Sequence, residues 1–173
     1  MDNLIALVDI NDKVIGFEDK LEVHRKGLLH RAFSIIVVNS KKELLLQRRA
    51  LDKYHSAGLW TNTCCSHLPK GFEMNHYAHL RLMEEMGFDC DLKFIKTFHY
   101  NINFQDGMIE NEIDHIYLGV FDGSPVHNSA EVCEWKWIKT DEVLEDIRVN
   151  PDIYTYWFRF ILKNHIEIFG DIA

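Results

Sequence analysis

The chain is most informative first for what it lacks. Its four cysteines, Cys64, Cys65, Cys90 and Cys133, form no CxxC pair, which argues against a structural zinc ribbon. No apolar stretch approaches the ~20 residues that a membrane helix needs, and the run from Phe33 to Val38 is among the longest. There is no excess of positive charge. The formal net charge of −8 argues against a broad nucleic-acid or membrane surface, although a small anion needs only a few local cations. Asp2 and Asn3 open the chain without a basic and apolar leader, and no repeat, low-complexity tract or linker follows. The expectation is one domain over residues 1–173, cytoplasmic, with free thiols, acting as a monomer or homodimer.

What is present reads as a folded enzyme. The 173 residues are 47% hydrophobic, 12% aromatic and 27% charged, a composition with enough apolar surface for a sizeable core. Leu4–Val8 and Val14–Phe17 flank Asn11-Asp12 and predict a hairpin. Ala32–Val38 and Glu43–Gln47 predict a second hairpin across Asn39 to Lys42. Trp60–His67 reads as a strand, and Asn75 as the cap of a helix over His76–Met86 that Gly87 stops. Further strands are expected at Phe94–Phe104 and Met108–Phe121, joined by a turn at Gln105-Asp106-Gly107, and at Glu134–Ile138. A helix should start at Thr140 and reach Ile147. Pro151 should open a last helix to Phe169, on which Ile153, Trp157, Phe160, Ile161 and Ile168 recur at helical spacing. The fold class is α+β, a mixed and mainly antiparallel sheet flanked by helices.

Strand alternation puts Cys65 and His67 on one face, with Cys64 and Ser66 on the other. Glu110 and Glu112 likewise share a face. Two close carboxylates repel each other, and a divalent cation relieves the repulsion. His24 and His30, just before a strand, would complete a set of three nitrogens and two carboxylates with His67, Glu110 and Glu112. Such ligation suits Zn²⁺, Mn²⁺ or Fe²⁺ and suits Mg²⁺ less well. Spacing alone does not deduce that set. Arg48-Arg49, Lys53 and Arg81 are candidate anion grips. The plain alternatives are a buried apolar role for Cys65, a solvated loop for Lys53 and a surface ion pair with Glu85 for Arg81.

Trp60-Thr61-Asn62-Thr63-Cys64-Cys65-Ser66-His67, taken with Glu110-Asn111-Glu112, resembles the type I isopentenyl-diphosphate Δ-isomerases. Arg48-Arg49-Ala50 and Tyr154-Thr155-Tyr156-Trp157 are similar to theirs, and the likeness runs from about Lys20 to Leu162. It implies a Nudix-type fold and the interconversion of isopentenyl and dimethylallyl diphosphate, a small-molecule partner. Glu84-Glu85-Met86-Gly87-Phe88 looks like the tail of a Nudix box, but Leu80-Arg81 stands where a hydrolase would have Arg-Glu. A Nudix diphosphate hydrolase is therefore the alternative. Position by position, the resemblance implies a divalent metal (Mn, Zn or Mg) on His24, His30, His67, Glu110 and Glu112. It implies Cys65 and Glu112 as the proton-transfer groups, Tyr100 hydrogen-bonded to the acid, and Trp157 facing the hydrocarbon. Lys20, Arg49, Lys53 and Arg81 would hold the diphosphate, with Mg²⁺ bridged through Glu85. His67-Leu68-Pro69 departs from the family, where proline commonly follows the histidine directly.

Overall fold

Asp12 adopts a left-handed conformation (φ 61°) in the turn between β1 (Leu4–Val8) and β2 (Val14–Asp19), which pair antiparallel as expected. The computed structural model describes residues 3–53, 55–104 and 107–170. After β2 the chain forms a helix that the sequence reading missed, α1 (Lys20–Lys26). Its signals are local. The Asp19 carboxylate accepts from the Leu21 and Glu22 amides, and Gly27 ends the helix at φ 63°. His24 therefore sits on a helix rather than beside a strand, while His30 is the first residue of β3 (His30–Val38).

Residues 32–38 of β3 are all buried, which explains why the run is apolar without alternation: both faces of this strand are covered. It turns at Asn39, whose side chain accepts from the Lys41 and Glu43 amides, into β4 (Glu43–Arg49). The expected single strand Trp60–His67 is two strands. β5 (Trp60–Thr61) pairs with β4, and β6 (Cys64–His67) pairs with β3. Asn62 makes the break, donating from its side-chain amide to the carbonyls of Ile35 and Cys64.

α2 (Met74–Met86) starts earlier than expected, with Glu73 at its N-cap and no side-chain cap, so Asn75 lies inside the helix. Gly87 ends it at φ 72°. β7 (Leu92–Asn103) and β8 (Ile109–Val120) pair antiparallel along their length. Gln105 and Asp106 of the expected turn lie outside the described residues. β9 (Val132–Lys139) pairs with β4 and leads into α3 (Thr140–Val149).

The expected last helix is interrupted. A 3₁₀ turn at Pro151–Ile153 precedes α4 (Tyr156–Asn164), and α5 (Glu167–Gly170) follows. Between them the Thr155 amide donates to the Trp60 carbonyl and its hydroxyl meets that of Thr61. Pairing with β5 captures this segment before it can coil.

The sheet is mixed, as an α+β fold allows. Its centre is a parallel pair, β3 with β8, running from His30 opposite Glu112 to Val38 opposite Val120. On one side Ile36, Val38, Leu46 and Ile116 pack with Trp157, Phe158 and Ile161 of α4. On the other, Phe33, Ile35, Val37 and Tyr117 pack with Ala78, Leu82 and Met86 of α2. Burying each such side chain contributes roughly 1.5–3 kcal/mol. Among the described residues, no helix is long and apolar enough to cross a membrane.

Candidate active site and metal centre

Register assembles the site. In β8, Glu110, Glu112 and Asp114 share the face on which Ile116 enters the α4 cluster. Parallel pairing sets His30 against Glu112, antiparallel pairing sets Tyr100 of β7 against the same residue, and β6 places His67 against Ala32 and Cys65 against Ser34. Four strands thereby bring side chains distant in sequence to one cleft of about 640 Å³ of empty space, its open mouth included. Lys20, Arg49, Lys53, Arg81 and Glu85 line it together with Cys65, His67, Tyr100, Glu110, Glu112 and Trp157.

The metal question can be put to the donor atoms. His24, His30, His67, Glu110 and Glu112 each offer one ligand atom, and these all lie within 4.8 Å of one another. His24 Nδ1 faces the Lys20 carbonyl at 2.5 Å and His30 Nδ1 the Leu28 carbonyl at 2.8 Å. A carbonyl only accepts, so these nitrogens carry the ring protons and turn the Nε2 lone pairs inward. There His24 Nε2 lies 3.2 Å from Glu110 Oε2, and His30 Nε2 lies 3.3 Å from Glu112 Oε1. Lone pairs facing anionic oxygens call for a cation between them. His30 Nε2 and Glu110 Oε2 are buried and make no hydrogen bond. The residues fit one divalent ion.

The electrostatics separate the acids. Burial and Glu110 both push the Glu112 carboxyl up, but the His30 and His67 imidazoles beside it prevail and hold it below the usual range. Glu110 is held well below it, against burial, by His24, His55 and His67. Tyr100 donates to Glu112 Oε2 at 2.5 Å, and burial, then Glu112, keeps that phenol protonated. Asp114 goes the other way, since burial and Glu112 push it well above the usual value. Ser34 donates to its Oδ2 at 2.8 Å.

Cys65 and Cys64 part as alternation requires. Cys64 is fully buried in the α2 cluster, whereas Cys65 borders the cleft with its thiol pushed up to about 12 by burial, despite Arg49. Ser66 does not follow the rule cleanly. It lies beside Tyr77 of α2 and also borders the cleft.

At the other end of the cleft, burial lowers the Lys20 amine, and Lys53, Arg49 and Arg81 add to the drop against Glu110. This crowding of cations is what an anion would relieve. Arg81 does form the ion pair with Glu85, at 2.5 Å, and still lines the cleft. Lys53 is not in a solvated loop, because it pairs with Glu131, which Arg81 also reaches at 3.3 Å. Gln47 donates to Glu85 Oε2 at 2.7 Å and anchors it.

Glu131, Gln47, His55 and Asp114 were missed in the sequence. Asp114 continues the period of two from Glu110 and Glu112 and could have been found. His55 and Glu131 lie outside strands and helices and carry no periodic signal.

Comparison with known proteins adds the following. A NUDIX domain family model matches residues 28–158. The isopentenyl-diphosphate Delta-isomerase 2 of Photorhabdus laumondii is 48% identical over 163 residues, covering 94% of this chain and 92% of that protein. The protein of the same name from Aromatoleum aromaticum is 47% identical, with 96% and 88% covered. A solved Deinococcus radiodurans structure superposes with a TM-score of 0.71 at 16% identity, over 85% of this chain and 90% of that one. A MutT NUDIX hydrolase from Burkholderia pseudomallei gives 0.61 at 17%, over 78% and 96%. At these identities the structural likeness shows the fold alone.

Proposed function

Since this chain belongs to the Nudix family and to its isopentenyl-diphosphate Δ-isomerases, we propose that Cys65 and Glu112 are the two proton-transfer groups of its cleft. The chain is an isomerase. It interconverts isopentenyl diphosphate and dimethylallyl diphosphate by protonation and deprotonation, supplying isoprenoid precursors. The observation that carries the residue assignment is a cleft with a protonated thiol, an ionised Glu112 and a cation-rich end together.

Lys20, Arg49, Lys53 and Arg81 would hold the diphosphate, and Glu85 would hold a Mg²⁺ that offsets part of its charge. The alkene then lies against Trp157, Cys65 and Glu112. One of the two proton-transfer groups adds a proton to an alkene carbon, and the other removes one from a different carbon. The roles exchange with direction, so the pair's total charge is unchanged over a turnover. Protonating an unactivated alkene makes a tertiary cation, so water must be excluded. Trp157 is 4% exposed, and its indole face stabilises such charge by ~2 kcal/mol or more when desolvated. The Arg49 guanidinium lies 5.3 Å from that ring's centroid, so this face already accommodates a cation. Tyr100 orients Glu112 through its hydrogen bond.

His24, His30, His67, Glu110 and Glu112 would hold Mn²⁺, Zn²⁺ or Mg²⁺, which when bound offsets the repulsion of the two carboxylates and fixes Glu112. The same reading makes residues 1–173 one cytoplasmic domain, monomeric or homodimeric, that acts on a small molecule and binds neither nucleic acid nor membrane. The hydrolase alternative is less supported, because Arg81 engages both Glu84 and Glu85 of the box remnant.

The test is incubation of metal-loaded protein with isopentenyl diphosphate in D₂O, followed by NMR. Deuterium entry with growth of the dimethylallyl isomer is expected. Release of inorganic phosphate without any alkene shift would overturn the reading.

A further inference from the structure

His55 belongs to neither the motifs nor the ligand cluster, yet it meets Glu110, Trp157 and Arg49 of the site. It lies in the loop joining β4 to β5, buried, with its Nε2 3.1 Å from Glu110 Oε1. Glu110 thus divides its oxygens. Oε2 faces His24 at 3.2 Å and His30 at 3.7 Å, and Oε1 faces His55. A carboxylate oxygen only accepts, so His55 presents Nε2–H to it. The imidazole also stacks on Phe104 (5.6 Å, 18°) and stands perpendicular to Trp157 (5.9 Å, 86°). Its carbonyl accepts from Arg49 at 3.3 Å, beside the anion-binding end.

We propose that His55 is a positioning residue that holds Glu110 turned so that Oε2 faces the metal, and braces Trp157 with the same ring. The inference rests on reading the five-residue cluster as the metal centre. A free carboxylate rotates about its last side-chain bond and could present either oxygen, or both. A donor on Oε1 selects one arrangement, and partners of this kind typically tune metal affinity by 10- to 100-fold. The ring contacts are separable from the hydrogen bond, because the N–H meets Glu110 while the ring meets Phe104 and Trp157.

That separation designs the experiment. His55→Phe keeps a ring and removes the donor, whereas His55→Gln keeps a donor and removes the ring. Full-length protein stripped by chelator is titrated with Mn²⁺ alone, and free ion is followed by its paramagnetic resonance signal. His55→Phe should weaken Mn²⁺ binding about 10- to 100-fold. His55→Gln should bind Mn²⁺ within about threefold of wild type but lower kcat more than it raises KM, because Trp157 has lost its brace. Should His55→Phe fail to fold, His55→Ala takes its place, and added imidazole should restore part of the lost Mn²⁺ affinity. Wild-type affinity in the donor-free variant overturns the proposal. So does a loss in His55→Gln equal to that in His55→Phe, which would make His55 a ligand. A wild-type protein that binds no Mn²⁺ instead removes the metal reading beneath it.

Discussion

The central strands β3 and β8 each carry two different regions on a single face. At one end that face presents His30, Ala32 and Ser34 beside Glu110, Glu112 and Asp114. A few residues further along, it presents Ile36 and Val38 beside Ile116 and Leu118, packed under α4. Backbone, pairing and burial are alike in both halves, and only side-chain chemistry changes. Parallel register brings the two changeovers within one step of each other: His30 lies opposite Glu112 and Ile36 opposite Leu118, with Ser34 opposite Ile116 at the boundary. The apolar half is stabilised by removal from water alone. The polar half buries three carboxylates, an arrangement that needs partners: imidazoles, Tyr100, Ser34, a proton on Asp114 and the cation that the His and Glu cluster could hold.

The sharpest way to break this comparison is chemical. Cys65→Ala or Glu112→Gln should lower turnover by several orders of magnitude, each factor of ten being about 1.4 kcal/mol of barrier. Cys64→Ala, on the neighbouring but opposite face, should keep activity. Measured kcat/KM on folded protein decides, and near-normal isomerisation in both Cys65→Ala and Glu112→Gln would remove the assignment. Next in size is the apolar half. Ile116→Ala should lower unfolding free energy by about 2–5 kcal/mol in urea titration, with Mn²⁺ affinity of the folded protein retained. Equal losses of stability and metal affinity would mean that the two halves are one unit.

The smallest effect tests the proton on Asp114. Its folded pKa lies above the unfolded value of about 3.9, so its penalty is absent below that pH and grows as pH rises toward the folded value. Asn carries no such proton yet can still accept from Ser34. In metal-free protein, Asp114→Asn should therefore gain stability over wild type progressively as pH rises above the unfolded value of about 3.9. A gain that does not vary with pH would show that Asp114 is ionised in the fold. Glu110 and Glu112 run the opposite way, since depressed values stabilise above the unfolded pKa and the contribution fades in acid.

The polar half was the more legible in the sequence. Glu110 and Glu112, like Cys65 and His67, alternate on extended strands, and a period of two survives any tertiary arrangement. The seven-residue α1 was missed because it is too short for a periodic signal, although Asp19 and Gly27 mark both its ends. Trp60–His67 read as one strand because the break at Asn62 comes from hydrogen bonds to a distant carbonyl, Ile35, which no local pattern announces. The final helix kept its period but lost its continuity, since Thr155 is claimed by β5. His55 and Glu131 reach the cleft only because loops fold back over it, and loop positions carry no face.

The parallel pairing of β3 with β8 also dictates when the site can exist. His30 and Glu112 become neighbours only after the chain between them has closed into one large loop, and loop closure of this range is the slow part of folding. Hairpins such as β1–β2 can form without it. Every ligand on β8 arrives with this late step, so a nascent chain released before β8 emerges would hold three histidines and no carboxylate partner. Until the sheet's centre has zipped, the five-residue set would be incomplete, and an ion held by all five would act as a seal on the finished fold rather than as its nucleus.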